Sequence, residues 1–526
     1  MKYASAAARR HARDEFSVPQ AAALVREFQH MPRVAFPLVL ILAAVGAAAA
    51  DKPACEALAA PGQFKSTTIT SARRVPSDES LGLVAHCEVT AVITAVKGSR
   101  IGVVYRLPDA WNEKLLGLGG GGWAGNIRIE AAAPALARGY TTAQTDAGHE
   151  NAGVWDTSWS SKPEAVTDFA YRAVHQMTVL GKDIVARYYG RPQSRAYFQG
   201  CSTGGRQGLM EAQRFPEDYD GVIAGAPVHT LLTQTSALLR NLAFAAPGAA
   251  LAPENIARLH EASLAACDAL DGLKDGIVTD PRACPFDPAE IACRDDAPTP
   301  GCLSPAQVAA VRKAYDGVTT SDGRIAAYPL SRGGEAAWPI FIDIGAKFEL
   351  GTGATSAAIK GLRTLLLNNR NFDLSSFNPE RDLIIVRGTA FARSYEAANP
   401  NLTAFVARGG KLILWHGFDD PGPSALATIE YYEAVQRALA PAESALKSSV
   451  RLFVAPGVQH CGAGPGADVF DALRALDDWV LRKQAPELMH ATRADGRLSR
   501  PLCRYPALPY YRGTGDPNDA SSFDCR

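Results

Sequence analysis

The run Arg195-Ala196-Tyr197-Phe198-Gln199-Gly200-Cys201-Ser202-Thr203-Gly204-Gly205-Arg206-Gln207-Gly208-Leu209-Met210-Glu211-Ala212 decides how this chain is read. Its first six residues have the aromatic and apolar character of a short strand. From Gly204 onward the run reads as a helix, with Leu209, Met210 and Ala212 available for burial. Between them, Gly-Cys-Ser-Thr-Gly fits the G-x-S-x-G nucleophile elbow, a sharp strand-to-helix turn that exposes a serine hydroxyl at the top of an α/β sheet. Glycines on both sides let strand and helix approach where a Cβ would collide. The helix N-terminus turns backbone N–H groups toward an oxyanion forming beside Ser202.

A serine hydroxyl needs a base, and the base needs an orienting carboxylate. In this architecture they follow the serine in the order Asp/Glu, then His. Lys-Leu-Ile-Leu-Trp-His-Gly (411–417) reads as a buried strand, with Asp419 and Asp420 in the loop beyond it. Val-Arg-Leu-Phe-Val-Ala (450–455) reads as a second buried strand, with His460 in the loop that follows. Such loops lie at the carboxyl ends of strands, where open α/β sheets place their sites. Order along the chain leaves Asp419 and Asp420 equal as acids. His416 closes its strand and is expected to shape the site. His149 follows a strand boundary, and His175, His229 and His260 read as structural. His460 alone has the right order and a neighbouring cysteine, Cys461. A bond between Cys461 and Cys201 would clamp base to nucleophile.

A glycine run, 119–122, follows the apparent strand 115–118. It lacks the G-K-[ST] ending of a phosphate loop and the spacing of a dinucleotide fingerprint. A backbone N–H facing a substrate carbonyl is the better reading.

These residues, with GGGGWAG (119–125), TDAGH (145–149), AQRFPEDYDGVIAGAP (212–227), CDALDGLKDGIVTDP (267–281), CLSPAQV (302–308), GGKLILWHGFDD (409–420), PGVQHCGAGPG (456–466) and RPLCRYP (500–506), resemble the tannase and feruloyl esterase family of secreted serine hydrolases over about residues 55–525. The resemblance implies an α/β-hydrolase core with a large inserted lid. It implies Ser202 as nucleophile, His460 as base and, through the family's H-G-x-x-D pattern, Asp420 as acid. Oxyanion donors would be the backbone N–H groups of Gly122 and Thr203. It also implies a disulfide Cys201–Cys461. Together with proximity along the chain, it points to Cys55–Cys87, Cys267–Cys284, Cys293–Cys302 and Cys503–Cys525.

The acidic run 267–281 suits a hard cation, because carboxylates and carbonyls are oxygen donors. Its spacing is not that of an EF-hand. The resemblance implies structural Ca²⁺ in the lid, held by Asp268, Asp271 and Asp275 with the carbonyls of Leu273 and Ile277. No organic cofactor is expected.

Ten cysteines, an even number, with no C-x-x-C pair, fit a disulfide framework in an oxidising compartment. Met31-Pro32-Arg33, the apolar run 34–50 and Asp51 read as a secretory signal, with Met31 the expected start. No later stretch approaches the ~20 apolar residues of a membrane span. The 54 basic residues balance 54 acidic ones, so no electrostatic argument favours nucleic acid. The expected organisation is a leader (1–50), core (51–227), lid (228–400), and core with a disulfide-pinned irregular tail (401–526). Lid aromatics Trp338, Phe341 and Phe348 are candidates for an aromatic ring pocket. Lys347, Lys360, Arg363 and Arg370 read as solvated surface. The expected function is secreted or periplasmic hydrolysis of esters of aromatic acids. A serine peptidase and a non-catalytic binding protein on the same fold are the alternatives.

Overall fold

A nine-stranded mixed sheet organises the chain. Its strands are β1 (Thr67–Val75), β2 (His86–Ile93), β3 (Ile101–Pro108), β4 (Lys114–Leu118), β5 (Thr141–Thr145), β6 (Arg195–Cys201), β7 (Gly221–Gly225), β10 (Lys411–Gly417) and β11 (Val450–Ala455). Two short strands, β8 (Val318–Thr319) and β9 (Ile325–Ala327), form a separate hairpin between β7 and β10. The computed structural model describes residues 54–150, 153–294, 300–343, 354–441 and 448–526. The leader with Met31, and Lys347 and Phe348, lie outside them.

The spatial order is β1-β2-β3-β5-β4-β6-β7-β10-β11. β1, β2, β3 and β5 pair antiparallel in turn. From β5 to β11 every pairing is parallel. Parallel strands must be covered on both faces, and the sequence provides for this residue by residue. Leu115, Phe198, Val222, Leu412 and Leu452 enter one buried cluster. Their neighbours Leu116, Tyr197, Ile223, Ile413 and Phe453 enter the cluster on the opposite face. The alternation is the period-2 geometry of a strand with apolar residues at every position. Helices Ala173–Tyr189 and Thr203–Arg214 cover the first face, with Met177, Ile184 and Leu209 fully buried. Helix Ala472–Arg482 covers the second, burying Leu473, Leu476, Trp479 and Val480 at helical spacing.

Between β7 and β10 the chain is mostly helical, including Leu232–Phe244, Pro253–Cys267, Pro305–Asp316, Ala354–Leu367, Pro379–Gly388 and Ala390–Tyr395. One buried cluster lies within this region, around Phe244, Leu259, Tyr315 and Trp338. Another joins it to earlier chain: Leu238, Leu362, Leu383 and Tyr395 pack with Trp123, Trp159 and Phe169. The inserted residues therefore rest on the loops that follow β4 and β5.

The tail differs from the irregular structure expected of it. Leu488–Thr492 pairs antiparallel with Ser499–Cys503, and Pro509–Tyr511 with Phe523–Cys525. The sequence hides these strands because prolines stand at 501, 506 and 509. The strands are edge strands two abreast, where a missing N–H is tolerated. Five disulfides join Cys55–Cys87, Cys201–Cys461, Cys267–Cys284, Cys293–Cys302 and Cys503–Cys525.

Candidate active site

Ser202 stands between β6 and helix Thr203–Arg214, with φ 62° and ψ −122°. A non-glycine residue in that region costs on the order of 1–3 kcal/mol and persists only where its surroundings hold it. Here they do. Its N–H donates to the Gly225 carbonyl (3.0 Å), and its carbonyl accepts from the N–H groups of Arg206 (3.0 Å) and Val228 (3.3 Å). A Cβ on Gly200 would sit 2.5 Å from the Gly204 carbonyl carbon, and one on Gly204 would sit 2.9 Å from the Gly120 oxygen. Strand, helix and glycine loop thus meet closely enough to exclude side chains.

The glycine loop is tied to the same helix. Gly204 N–H donates to the Gly120 carbonyl (2.9 Å), Gly120 N–H to Gln207 Oε1 (2.9 Å), and the Thr203 hydroxyl to the Gly122 carbonyl. Thr203 holds the first helical position, where backbone N–H groups lack intrahelical acceptors. Gly122 has φ 58°.

The acid and imidazole come from adjacent parallel strands, β10 and β11. Phe418 N–H donates to Ala455 (2.9 Å) and Asp419 N–H to Val458 (3.0 Å), which lock the two loops in register. His460 Nδ1 lies 2.6 Å from Asp420 Oδ2. Gly422 N–H donates to Asp420 Oδ1 at 2.8 Å. His416 Nε2 faces both Asp420 Oδ2 (3.2 Å) and the Pro423 carbonyl (3.1 Å), so that nitrogen carries the proton and Nδ1 accepts from Thr428 (2.8 Å). Burial pushes the Asp420 carboxyl upward, but the His460 charge and the bonds from His416 and His460 outweigh it and hold the group at about 2. An ionised acid fixes the proton of His460 on Nδ1 and leaves Nε2 as acceptor.

Asp419 faces elsewhere. It packs against Gly334, and its Oδ1 has no hydrogen-bond partner among the described residues. Burial first, then the nearby Glu335 charge, raise it to about 7, with His260 opposing. Sequence order could not separate the two aspartates; the fold turns only Asp420 toward His460. The Cys201–Cys461 bond joins the neighbours of Ser202 and His460 with Cα atoms 5.9 Å apart across 260 residues.

Ser202, Thr203, Gly122 and His460 line one cleft with roughly 560 Å³ of empty space. Its walls are chiefly apolar, with Trp123, Trp155, Phe341, Ile359 and Tyr395. The Phe341 ring meets His460 edge-on, centroids 4.9 Å apart. Trp338 does not reach the cleft; it is buried against Phe244 and Tyr315. Lys360, Arg363 and Arg370 are not among the lining residues. Sequence reasoning missed Arg240. It is fully buried on an inserted helix and donates to the carbonyls of Pro421 (3.2 Å), Gly422 (3.0 Å) and Tyr328 (2.7 Å), bracing the acid loop. Nothing local marks it, because its acceptors lie far along the chain.

In the acidic loop, Asp268 accepts from the N–H groups of Asp275, Gly276 and Ile277. Asp271 accepts from Leu273 N–H (2.9 Å) and the Thr279 hydroxyl (2.6 Å), and Asp275 pairs with Arg500 at 2.5 Å. Burial raises the carboxyls of Asp271 and Asp275, and the neighbouring carboxylates add to this. Among the described residues, these three aspartates do not bring three oxygens within 4.8 Å of one another.

A mixed sheet with an elbow serine, an acid-bound histidine and a glycine loop at the carboxyl edge of its parallel strands defines an α/β-hydrolase. Residues 87–526 match the pattern of the family described as tannase and feruloyl esterase. The chain is 33% identical to mono(2-hydroxyethyl) terephthalate hydrolase of Piscinibacter sakaiensis, over 84% of this chain and 85% of that protein. It is 32% identical to feruloyl esterase B of Aspergillus niger, over 84% and 86%. The crystal structure of feruloyl esterase B from Aspergillus oryzae superposes with a TM-score of 0.81 at 27% identity, covering 90% of this chain and 99% of that one. This protein belongs to the tannase and feruloyl esterase family, and it is a carboxylic ester hydrolase.

Proposed function

We propose that the chain hydrolyses esters of aromatic acids through an acyl-enzyme on Ser202. The observation that carries this is the His460–Asp420 contact of 2.6 Å, on a histidine that shares an apolar, aromatic-walled cleft with Ser202. His460 Nε2 takes the hydroxyl proton as Oγ attacks the ester carbonyl. The oxyanion is met by the N–H groups of Thr203 and Gly122. Collapse expels the alcohol, which receives the proton from His460. Water, deprotonated by the same nitrogen, then releases the acid and restores the serine. Asp420 stays ionised and stabilises the imidazolium throughout.

The acyl group is aromatic on this reading, because Trp155, Phe341 and Tyr395 offer flat apolar faces and the described lining residues include no lysine or arginine. The names of the relatives, which refer to feruloyl and terephthalate esters, agree with that chemistry. Residues 228–400 act as the lid that shapes this cleft. Five disulfides support a secreted or periplasmic location, since such bonds persist in oxidising compartments.

The loop 268–280 fits Ca²⁺ in its donor chemistry: the side chains are hard carboxylates, and their mutual repulsion asks for a cation. Asp268, Asp271 and Asp275, with the carbonyls of Leu273 and Ile277, would hold it. The ion would supply structural bracing of the insertion and no step of the reaction.

The experiment is hydrolysis of methyl gallate, methyl ferulate and mono(2-hydroxyethyl) terephthalate by the wild-type chain and by Ser202→Ala. Turnover of at least one, preferred over an aliphatic ester of equal length and abolished in the variant with an unchanged melting curve, is expected. Turnover retained by Ser202→Ala would remove the nucleophile assignment, and a preference for the aliphatic ester would remove the substrate class.

A further inference from the structure

The helix that begins at the elbow ends in a second polar cluster, remote from the cleft. Glu211 lies in the last turn of helix Thr203–Arg214, His175 on helix Ala173–Tyr189, and Asp218 in the turn before β7. One side-chain atom from each lies within 4.8 Å of the other two. Glu211 is 1% exposed, and neither of its carboxylate oxygens meets a hydrogen-bond donor among the described residues. Asp218 is 6% exposed, and its Oδ2 lies 2.7 Å from His175 Nδ1. The His175 ring is held flat against Phe215, centroids 4.0 Å apart.

Two buried carboxylates side by side, with His175 Nδ1 at Asp218 as the one imidazole contact, are unstable as a pair of anions. Burial first, then the adjacent Asp218 charge and a side-chain hydrogen bond to Asp218, push Glu211 well above the usual carboxylate range. Lys182 contributes attraction from a distance, but its ammonium donates to the Glu217 carbonyl (3.2 Å) and not to Glu211. Something positive is needed between these side chains, either a proton or a cation. The imidazole nitrogen decides in favour of the cation. A borderline divalent metal takes a mixed set of one nitrogen and two carboxylate oxygens, whereas Ca²⁺ prefers oxygen alone. His175 is part-exposed and lines a surface cleft with Gln176, Val179 and Phe215, which gives an ion a route in.

We propose that His175, Glu211 and Asp218 form a structural binding site for a divalent transition metal, zinc in class, that anchors the carboxyl end of the helix whose amino end carries the elbow. Carboxylate and imidazole ligands bind metal only in their deprotonated forms, so uptake would be accompanied by proton release. The helix would then be fixed at both ends: by the Cys201–Cys461 bond beside Ser202 and by the metal beside β7.

The test uses the full chain, stripped of metal and returned to excess Ca²⁺, titrated with Zn²⁺ and separately with Co²⁺. Expected are one tight equivalent of zinc, proton release on binding, visible cobalt bands of a nitrogen–oxygen site, and a rise in Tm of roughly 2–3 °C at free zinc a hundredfold above Kd. Glu211→Gln, which keeps the shape of the buried side chain, should lose the tight equivalent. His175→Gln, at a part-exposed position that tolerates change, should weaken binding at least tenfold and abolish the cobalt bands. Zinc uptake or cobalt bands unchanged in folded His175→Gln would place the metal elsewhere and overturn the proposal. No tight equivalent in the wild-type chain would overturn it as well, leaving a shared proton to hold the carboxylates together.

Discussion

Cys201 and Cys461 stand 260 residues apart in the chain and 5.9 Å apart at their Cα atoms, and each is the immediate neighbour of a residue that lines the cleft, Ser202 and His460. The bond makes a tertiary contact covalent at the point where its geometry matters. Closing so long a loop restricts the unfolded chain by at most about 5 kcal/mol on the loop-entropy argument. Replacing both cysteines by alanine should therefore lower Tm by several degrees and kcat/KM together. Thermal melts and steady-state kinetics check this, and two unchanged values would make the bridge idle.

Asp420 is held ionised at about 2 by His460 and His416 despite its burial. Asp420→Asn should keep the fold but present an amide that no longer fixes the His460 tautomer. A fall in kcat of roughly 10³–10⁴-fold is expected, with KM little changed. A loss below tenfold would mean that another carboxylate orients the ring.

Asp419 offers a pH test with the opposite sign. Its carboxyl is raised to about 7 in the fold, against 3.8 as the ordinary value. Between those values the native state holds a proton that the unfolded chain has released, so this group's contribution is full below about pH 4 and is lost as pH rises through 7. Asp419→Asn, neutral at every pH, should therefore raise Tm by a few degrees at pH 8 and leave it nearly unchanged at pH 4. Melts across that range decide, and a larger effect at the acid end would contradict the assignment.

The acidic loop gives a metal test. Removing Ca²⁺ with a chelator should lower Tm, and Ca²⁺ but not Mg²⁺ should restore it, because a loop of flexible carboxylates and carbonyls suits the larger ion. Asp268→Asn should raise the Ca²⁺ concentration needed for recovery by about tenfold. A Tm indifferent to chelator and to added Ca²⁺ would leave Arg500 as the cation that serves Asp275.

Much of the site was legible before any fold was built. The elbow, the two buried strands with their loops, and the glycine run are local patterns, and β4, β6, β10 and β11 form where those patterns place them. The tail was not, because prolines at 501, 506 and 509 mask strands that survive only as two-stranded pairs. Trp338 and Phe341 read alike in sequence, three residues apart. One is buried inside the insertion and the other touches the imidazole. Arg240 carries no local signal at all, since the carbonyls it touches, at Tyr328, Pro421 and Gly422, lie far away in the chain.

By itself the sequence determined four strands of the parallel half of the sheet, the elbow and the order of the chemical groups, because strand period, helix spacing and glycine's missing Cβ act between residues a few positions apart. The H-G-x-x-D resemblance had already pointed to Asp420, and the tertiary structure supplied its contact with His460; only the tertiary structure decided which aromatic faces the cleft, and that His175, Glu211 and Asp218 meet. Those outcomes depend on how segments from distant parts of the chain pack, and adjacent residues point in different directions once the loop that carries them is fixed.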